Sequence, residues 1–383
     1  MAIPPSRLHY LDHLRVSLVI LVIIHHLALV YGASAPFYYV EPPPITQFRV
    51  FQGFLVFALI NQSFFMGALF LLAGYFTPGS YDRKGAASFL KNKLLRFGIP
   101  LVVFLFILNP VSELGSYLMP AYLSGLEGSP ALQDYPAFIG LGPLWFVAML
   151  LIFNIGYLVW RVLLRRRSPR RRDHKSALSL LWIGVFSLAL AGVSYLMRVI
   201  VPLGASVGDF PTLAYLPQYL SFFIIGIITY REDWVRSLPS SFGLVGAAMA
   251  LGSAFFLFPL SFSGKMFSLS LTSALNNALG NGHWQSAVYS AWDSLFSVGI
   301  TLTLLTIYRR LWNKGGGLGG FLSKHSYSVY LIHIPMVVYL CYLIRDIDLT
   351  NVPMFFVATA IIIPLCFAVA FLIRMIPGLS KIL

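Results

Sequence analysis

The chain has 383 residues, a mean hydropathy of +0.79, 58% hydrophobic and only 10% charged residues, and a formal net charge of +14. A soluble domain carries about 25% charged residues, so this composition argues against a soluble enzyme and against a basic nucleic-acid binder. Lipid offers backbone groups no partners, so apolar runs of roughly 20 residues must be helices or a closed barrel, and the lack of period-two alternation removes the barrel.

Ten spans are expected, at 10–32, 48–76, 97–118, 142–162, 177–200, 213–230, 241–260, 286–308, 325–344 and 353–374. This is an all-α polytopic bundle forming a single domain over 1–383. With that count, every basic residue except Arg49, Arg198, Lys265 and Arg345 falls on one side. Lys and Arg collect in cytoplasmic loops, so both termini are expected in the cytoplasm. Arg7, the first apolar run and Ala33-Ser34-Ala35 imitate a cleavable signal peptide, but Asp12, Arg15, His25 and His26 interrupt or flank that run. The run Arg165–Arg172 reads as a topology determinant that meets anionic lipid heads. The Gly-rich stretch 314–320 lacks a phosphate-loop pattern and reads as a flexible linker. Cys341 and Cys366 both fall in spans and read as packing residues, with no metal site expected.

Ionisable groups inside spans carry the functional reading, because each is expensive in lipid. Arg15 and His26 are eleven residues apart. At 3.6 residues per turn they lie within about 20° of one another on a single helix face, with about 16 Å of rise between them. A cation at the rim can hold an anionic ligand while an imidazole waits at depth, and imidazole suits general-base work near neutrality. The alternative is a histidine that only bonds to neighbouring helices. Lys93 and Arg96, three residues apart at the start of the third span, share a face in a regular helix and suit phosphates; ordinary positive-inside loading would give the same pair.

Motifs in chain order then carry a resemblance. Leu11-Asp12-His13-Leu14-Arg15 with His26, Ala73-Gly74-Tyr75-Phe76, Lys93-Leu94-Leu95-Arg96 with Ile99-Pro100, Leu144-Trp145-Phe146, and Tyr327-Ser328-Val329-Tyr330-Leu331-Ile332-His333 together resemble the acyltransferase-3 family of integral membrane acyltransferases. His26 to Tyr31, Arg96 to Pro100, Leu216 to Gly226 and Arg374 to Pro377 are similar to its branch that succinylates periplasmic glucans.

The resemblance implies an acyl-coenzyme A donor on the cytoplasmic side of a bacterial cytoplasmic membrane, with Arg15, Lys93 and Arg96 on its phosphates and Trp145 either lining the pocket or packing in the core. It implies a carbohydrate hydroxyl as acceptor, with His26 as general base or as a transient acyl carrier. Two departures matter. Lysine replaces the first arginine of the Arg-x-x-Arg motif, losing bidentate geometry. The glutamate that many members carry after Leu-Trp is absent near Leu150. Asp293, inside the eighth span, is the candidate acidic partner for His26, or an interfacial helix-start residue, and His333 reads as a helix-packing residue rather than a second catalytic group. The outer segment with Asn276, Asn277, Asn281, His283, Trp284 and Gln285 has the amide-and-aromatic mix of a sugar-contacting surface, or is an ordinary polar loop. A transporter or flippase, in which buried His, Arg and Asp mark a substrate path, is the rival from another class; a non-catalytic sensor is the third.

Overall fold

The computed structural model describes residues 8–126, 128–164, 179–211 and 213–383. Among them there is no strand, and ten helices are long and apolar enough to cross a membrane. The protein is an integral multi-pass helical bundle. The arginine-rich run 165–172 lies outside the described residues.

We number the long helices α1 His9–Gly32, α2 Phe48–Lys84, α3 Ala86–Leu118, α4 Trp145–Leu163, α5 Leu180–Ile200, α6 Leu216–Arg231, α7 Ser240–Ser261, α8 Trp284–Leu311, α9 Gly317–Ile344 and α10 Asn351–Met375. The expected spans coincide with these helices, with three differences. Helix α2 runs to Lys84, its 37 residues exceeding what a bilayer needs, so its last turns carry Asp82, Arg83 and Lys84. Helix α9 begins at Gly317, so four of the seven residues expected as a linker are helical. The third difference is α3, which begins at Ala86 rather than at 97 and is broken by π turns at Leu94–Gly98 and Phe104–Leu108.

Two prolines explain what α3 does with its backbone. Proline lacks an N–H and crowds the carbonyl four residues back. Pro100 thereby leaves the Arg96 carbonyl without its helical donor, and the Tyr327 hydroxyl donates to it at 2.6 Å. Pro110 does the same to Phe106, whose carbonyl accepts from the Tyr135 hydroxyl at 2.6 Å. Each break in the ladder becomes a tie to another segment.

Helices α1 and α2 are the central staves: 61% and 72% of their most apolar windows are buried, against 22% for α3. Helix α1 packs on α2, α8, α9 and α10, and α2 also packs along α6. Where α2 crosses α6, Gly74 and Gly226 face one another. A Cβ on Gly74 would strike the Phe223 carbonyl, and one on Gly226 the Leu71 carbonyl. Small residues let helices approach this closely in lipid, where packing supplies much of the attraction. Gly226→Val is therefore expected to lower the thermal midpoint and yield of the detergent-purified protein sharply. Gly192→Val on α5, where a Cβ meets nothing within 4 Å, should leave both near wild type.

Candidate active site

Helix α1 carries the two groups singled out by spacing, and each meets helix α9. Near one end of the bundle the Arg15 guanidinium donates to Asp12 Oδ1 at 3.1 Å, to Ser323 Oγ at 3.1 Å and to the Ser323 carbonyl at 3.3 Å. It lies on the wall of a polar cavity of about 470 Å³. Arg96, Lys324 and Arg374 line the same cavity, with Gly320, Ser323 and the tail from Ser380 to Leu383 closing it. Arg374 donates to the Leu383 carbonyl. The four cations converge from α1, α3, α9 and α10, which makes the cavity suited to a polyanion.

Arg96 reaches the cavity because its segment is fixed twice by Tyr327: through the carbonyl freed by Pro100, and through the guanidinium, which lies 5.3 Å from the Tyr327 ring centroid. Lys93 does not line this cavity. Its ammonium lies over the rings of Phe89 and Phe97, at 5.3 and 5.0 Å. The expected shared face of Lys93 and Arg96 holds for a regular α-helix, and the π turn at Leu94–Gly98 changes the phase between them. Lys324 and Arg374 take the places beside Arg15 and Arg96. Sequence reasoning counts both as positive-inside charge, and Arg374 also within the branch resemblance, without placing either in a binding cavity.

About 16 Å further along α1, His26 meets His333 of α9, with His26 Nδ1 and His333 Nε2 3.1 Å apart. His333 Nδ1 is 2.6 Å from the Tyr330 carbonyl. A carbonyl only accepts, so with both rings neutral His333 carries its proton on Nδ1 and presents the Nε2 lone pair. His26 must then donate from Nδ1, which leaves its Nε2 with a free lone pair. His26 keeps part of its surface accessible and stacks on Phe37 at 5.3 Å, whereas His25 and His333 are buried. The Tyr330 hydroxyl donates to the Pro143 carbonyl at 2.5 Å, tying the histidine helix to the turn that precedes Trp145. Trp145 is buried and stacks on Tyr219 at 5.4 Å.

Asp293, expected as the acidic partner of His26, is held elsewhere. Arg198 of α5 donates to Asp293 Oδ2 at 2.7 Å and to Ser290 Oγ at 2.8 Å, and both charged side chains are fully buried. The side-chain partner of His26 is His333, which sequence reasoning assigns to helix packing, and the Val22 backbone four residues back on α1 also bonds His26. The two residues are 307 positions apart, so only the histidine ending the Tyr-Ser-x-Tyr-Leu-Ile-His motif could have signalled the contact. Leu150, where a glutamate was looked for, is buried and apolar. No group of three or more potential metal ligands occurs among the described residues.

A single α1–α9 unit thus joins a basic cavity to a polarised histidine pair. The acyltransferase domain of the acyltransferase-3 family matches residues 8–373. The chain is 22% identical over 360 residues to glucans biosynthesis protein C of Salmonella paratyphi B, covering 88% of this chain and 84% of that protein. The proteins of the same name from Salmonella enteritidis PT4 and Salmonella choleraesuis are similar to the same extent. With that domain running through all ten membrane helices, the chain belongs to the acyltransferase-3 family of integral membrane acyltransferases.

Proposed function

We propose that the protein is a membrane O-acyltransferase that moves an acyl group, acetyl or succinyl, from acyl-coenzyme A to a hydroxyl of a carbohydrate acceptor. The observation that carries this reading is the union of a four-cation cavity and a histidine pair along α1 and α9. Arg15, Arg96, Lys324 and Arg374 fit the phosphates of coenzyme A, and the donor's thioester supplies the activated acyl carbon. His26 Nε2 takes the proton of the acceptor hydroxyl as its oxygen bonds to that carbon. The carbon–sulfur bond breaks, and the departing thiolate receives the proton back. His333 holds the His26 tautomer, in the way an orienting group serves a catalytic base. The names of the Salmonella relatives support a glycan acceptor. In this reading the basic cavity and both termini face the cytoplasm of a bacterial inner or plasma membrane, with the acceptor on the other side.

The test is thiol release by the purified full chain in nanodiscs, from acetyl- and succinyl-coenzyme A, with and without a soluble β-linked gluco-oligosaccharide. Acceptor-stimulated release with label on the sugar supports the reading. No release from either donor overturns it, and leaves the transporter class in its place. Within the same assay, Arg96→Gln is expected to raise the donor KM roughly tenfold, the scale of a hydrogen bond to a charged group, with kcat little changed. Lys93→Gln should move it less than about twofold, because that ammonium packs on aromatic rings outside the cavity.

A further inference from the structure

The buried Arg198–Asp293 pair belongs to a larger polar seam between α5 and α8. Ser286, Tyr289, Ser290 and Asp293 recur at three-, four- and seven-residue spacings on α8, which puts them on one face, and Arg198 meets that face from α5. All five residues are buried. The pair accounts for one carboxylate oxygen and one guanidinium nitrogen, and Ser290 takes a second nitrogen. Ser286 Oγ, Asp293 Oδ1 and Arg198 Nε have no hydrogen-bond partner among the described residues, and the Tyr289 hydroxyl has only the Tyr215 hydroxyl beside it, outside good hydrogen-bond geometry. Buried polar atoms are normally paired, so three orphans and a weakly paired hydroxyl on one seam point to a ligand that supplies both donors and acceptors.

The seam has two ends. One is the start of α8, where Trp284 is 55% exposed and His283 and Asn281 are exposed. This is the amide-and-aromatic segment noted in the sequence. At the other end Arg198 lies over the rings of Tyr215 and Tyr289, at 5.1 and 5.3 Å. From Tyr215 a row of ring contacts continues through Tyr219, Trp145, Phe146 and Tyr330 to His333, each step between 5.4 and 6.3 Å. The polar seam is therefore joined by continuous packing to the partner of His26.

We propose that the α5–α8 seam is a binding arm for a polyhydroxylated, carbohydrate-type acceptor, entered near Trp284 and leading toward His26. An apolar chain would leave every orphan unpaired, and a simple anion would answer only Arg198. Sugar hydroxyls can donate to Asp293 Oδ1 and accept from Ser286, Tyr289 and Arg198 Nε. Entry between the helix ends costs the Tyr195 hydroxyl its bond to the Gly282 carbonyl and the backbone bond from Leu203 to Leu279, while the Ser286 hydroxyl has no protein bond to give up. The proposal rests on the acyltransferase reading for its direction of travel, but the arm itself is a binding claim.

The experiment measures binding of a soluble β-linked gluco-oligosaccharide to the full chain in nanodiscs, by calorimetry, without donor. Wild type is expected to bind. Tyr289→Phe and Ser286→Ala should each weaken binding roughly three- to tenfold; Ser286→Ala should leave the thermal midpoint unchanged or raised, because its hydroxyl has no protein partner to lose, and Tyr289→Phe gives up only the contact with the Tyr215 hydroxyl. A purely structural seam predicts unaltered affinity in both variants, and that result, or no binding by wild type, overturns the proposal. Sugar binding that depends on these hydroxyls, in a protein that releases no thiol from either donor, would retain the arm and reject the acyl-transfer reading.

Discussion

His26→Ala is expected to remove acceptor-dependent acyl transfer, lowering kcat by about 10²- to 10⁴-fold, the usual contribution of a positioned general base, while the donor KM stays within about twofold. The split follows from the geometry. The cations that would hold the donor lie at the other end of α1, about 16 Å from His26, and none of them contacts the imidazole. A variant that kept full transfer would sink the assignment of His26, whatever its effect on stability.

The histidine pair makes a second, graded statement about the same step. Tyr330 fixes the proton of His333 on Nδ1, so His333 Nε2 is the acceptor for His26 Nδ1–H. His333→Phe removes that acceptor but leaves a side chain of similar shape. It should lower kcat less than His26→Ala does, with both KM values near wild type. His333→Asn, which can offer a side-chain carbonyl oxygen to His26, is expected to recover part of the loss. A carboxylate beside the base, as the family's missing glutamate suggested, would bring a negative charge into the bundle. In the proposed mechanism the neutral imidazole of His333 orients the base without one.

The parts of this site that were legible in the sequence are those that local periodicity controls. Arg15 and His26 share a helix, so eleven residues fix their relative azimuth and separation before any packing is known. The ten spans were legible because lipid forces each to be a continuous apolar helix. What failed to read out depends on one helix finding another. Nothing near Asp293 in the chain announces Arg198, 95 residues earlier, and Arg198 counted only as an exception to the charge asymmetry. His333 lies on a regular helix, but its use is set by contact with α1. Lys93 was misread for a subtler reason. The argument from three-residue spacing assumes α-helical phase, and Pro100 and the π turn at Leu94–Gly98 change that phase. The same proline was the readable sign that something would differ, since it must leave the Arg96 carbonyl to an outside donor.

Breaking the Arg198–Asp293 pair from one side is expected to destabilise the protein by about 3–5 kcal/mol, because it strands a charge in the interior. Arg198→Met and Asp293→Leu should each lower the thermal midpoint strongly, and the double replacement Arg198→Met with Asp293→Leu should recover most of the loss, since removing both charges removes the desolvation penalty with the attraction. Unfolding of the four proteins in one detergent forms a double-mutant cycle, and additive losses would show that the pair is not coupled in the folded protein. The cycle also separates stability from use. If the pair served only to join α5 to α8, the apolar double variant would keep every function of a stable protein. The structure argues otherwise, because Asp293 Oδ1 and Arg198 Nε remain without protein partners in a seam that apolar residues could have filled. A buried ion pair of fixed geometry is a poor source of stability and a good source of pre-oriented donors and acceptors. The double variant should therefore be folded and still bind gluco-oligosaccharide at least tenfold more weakly, a loss that packing alone would not produce.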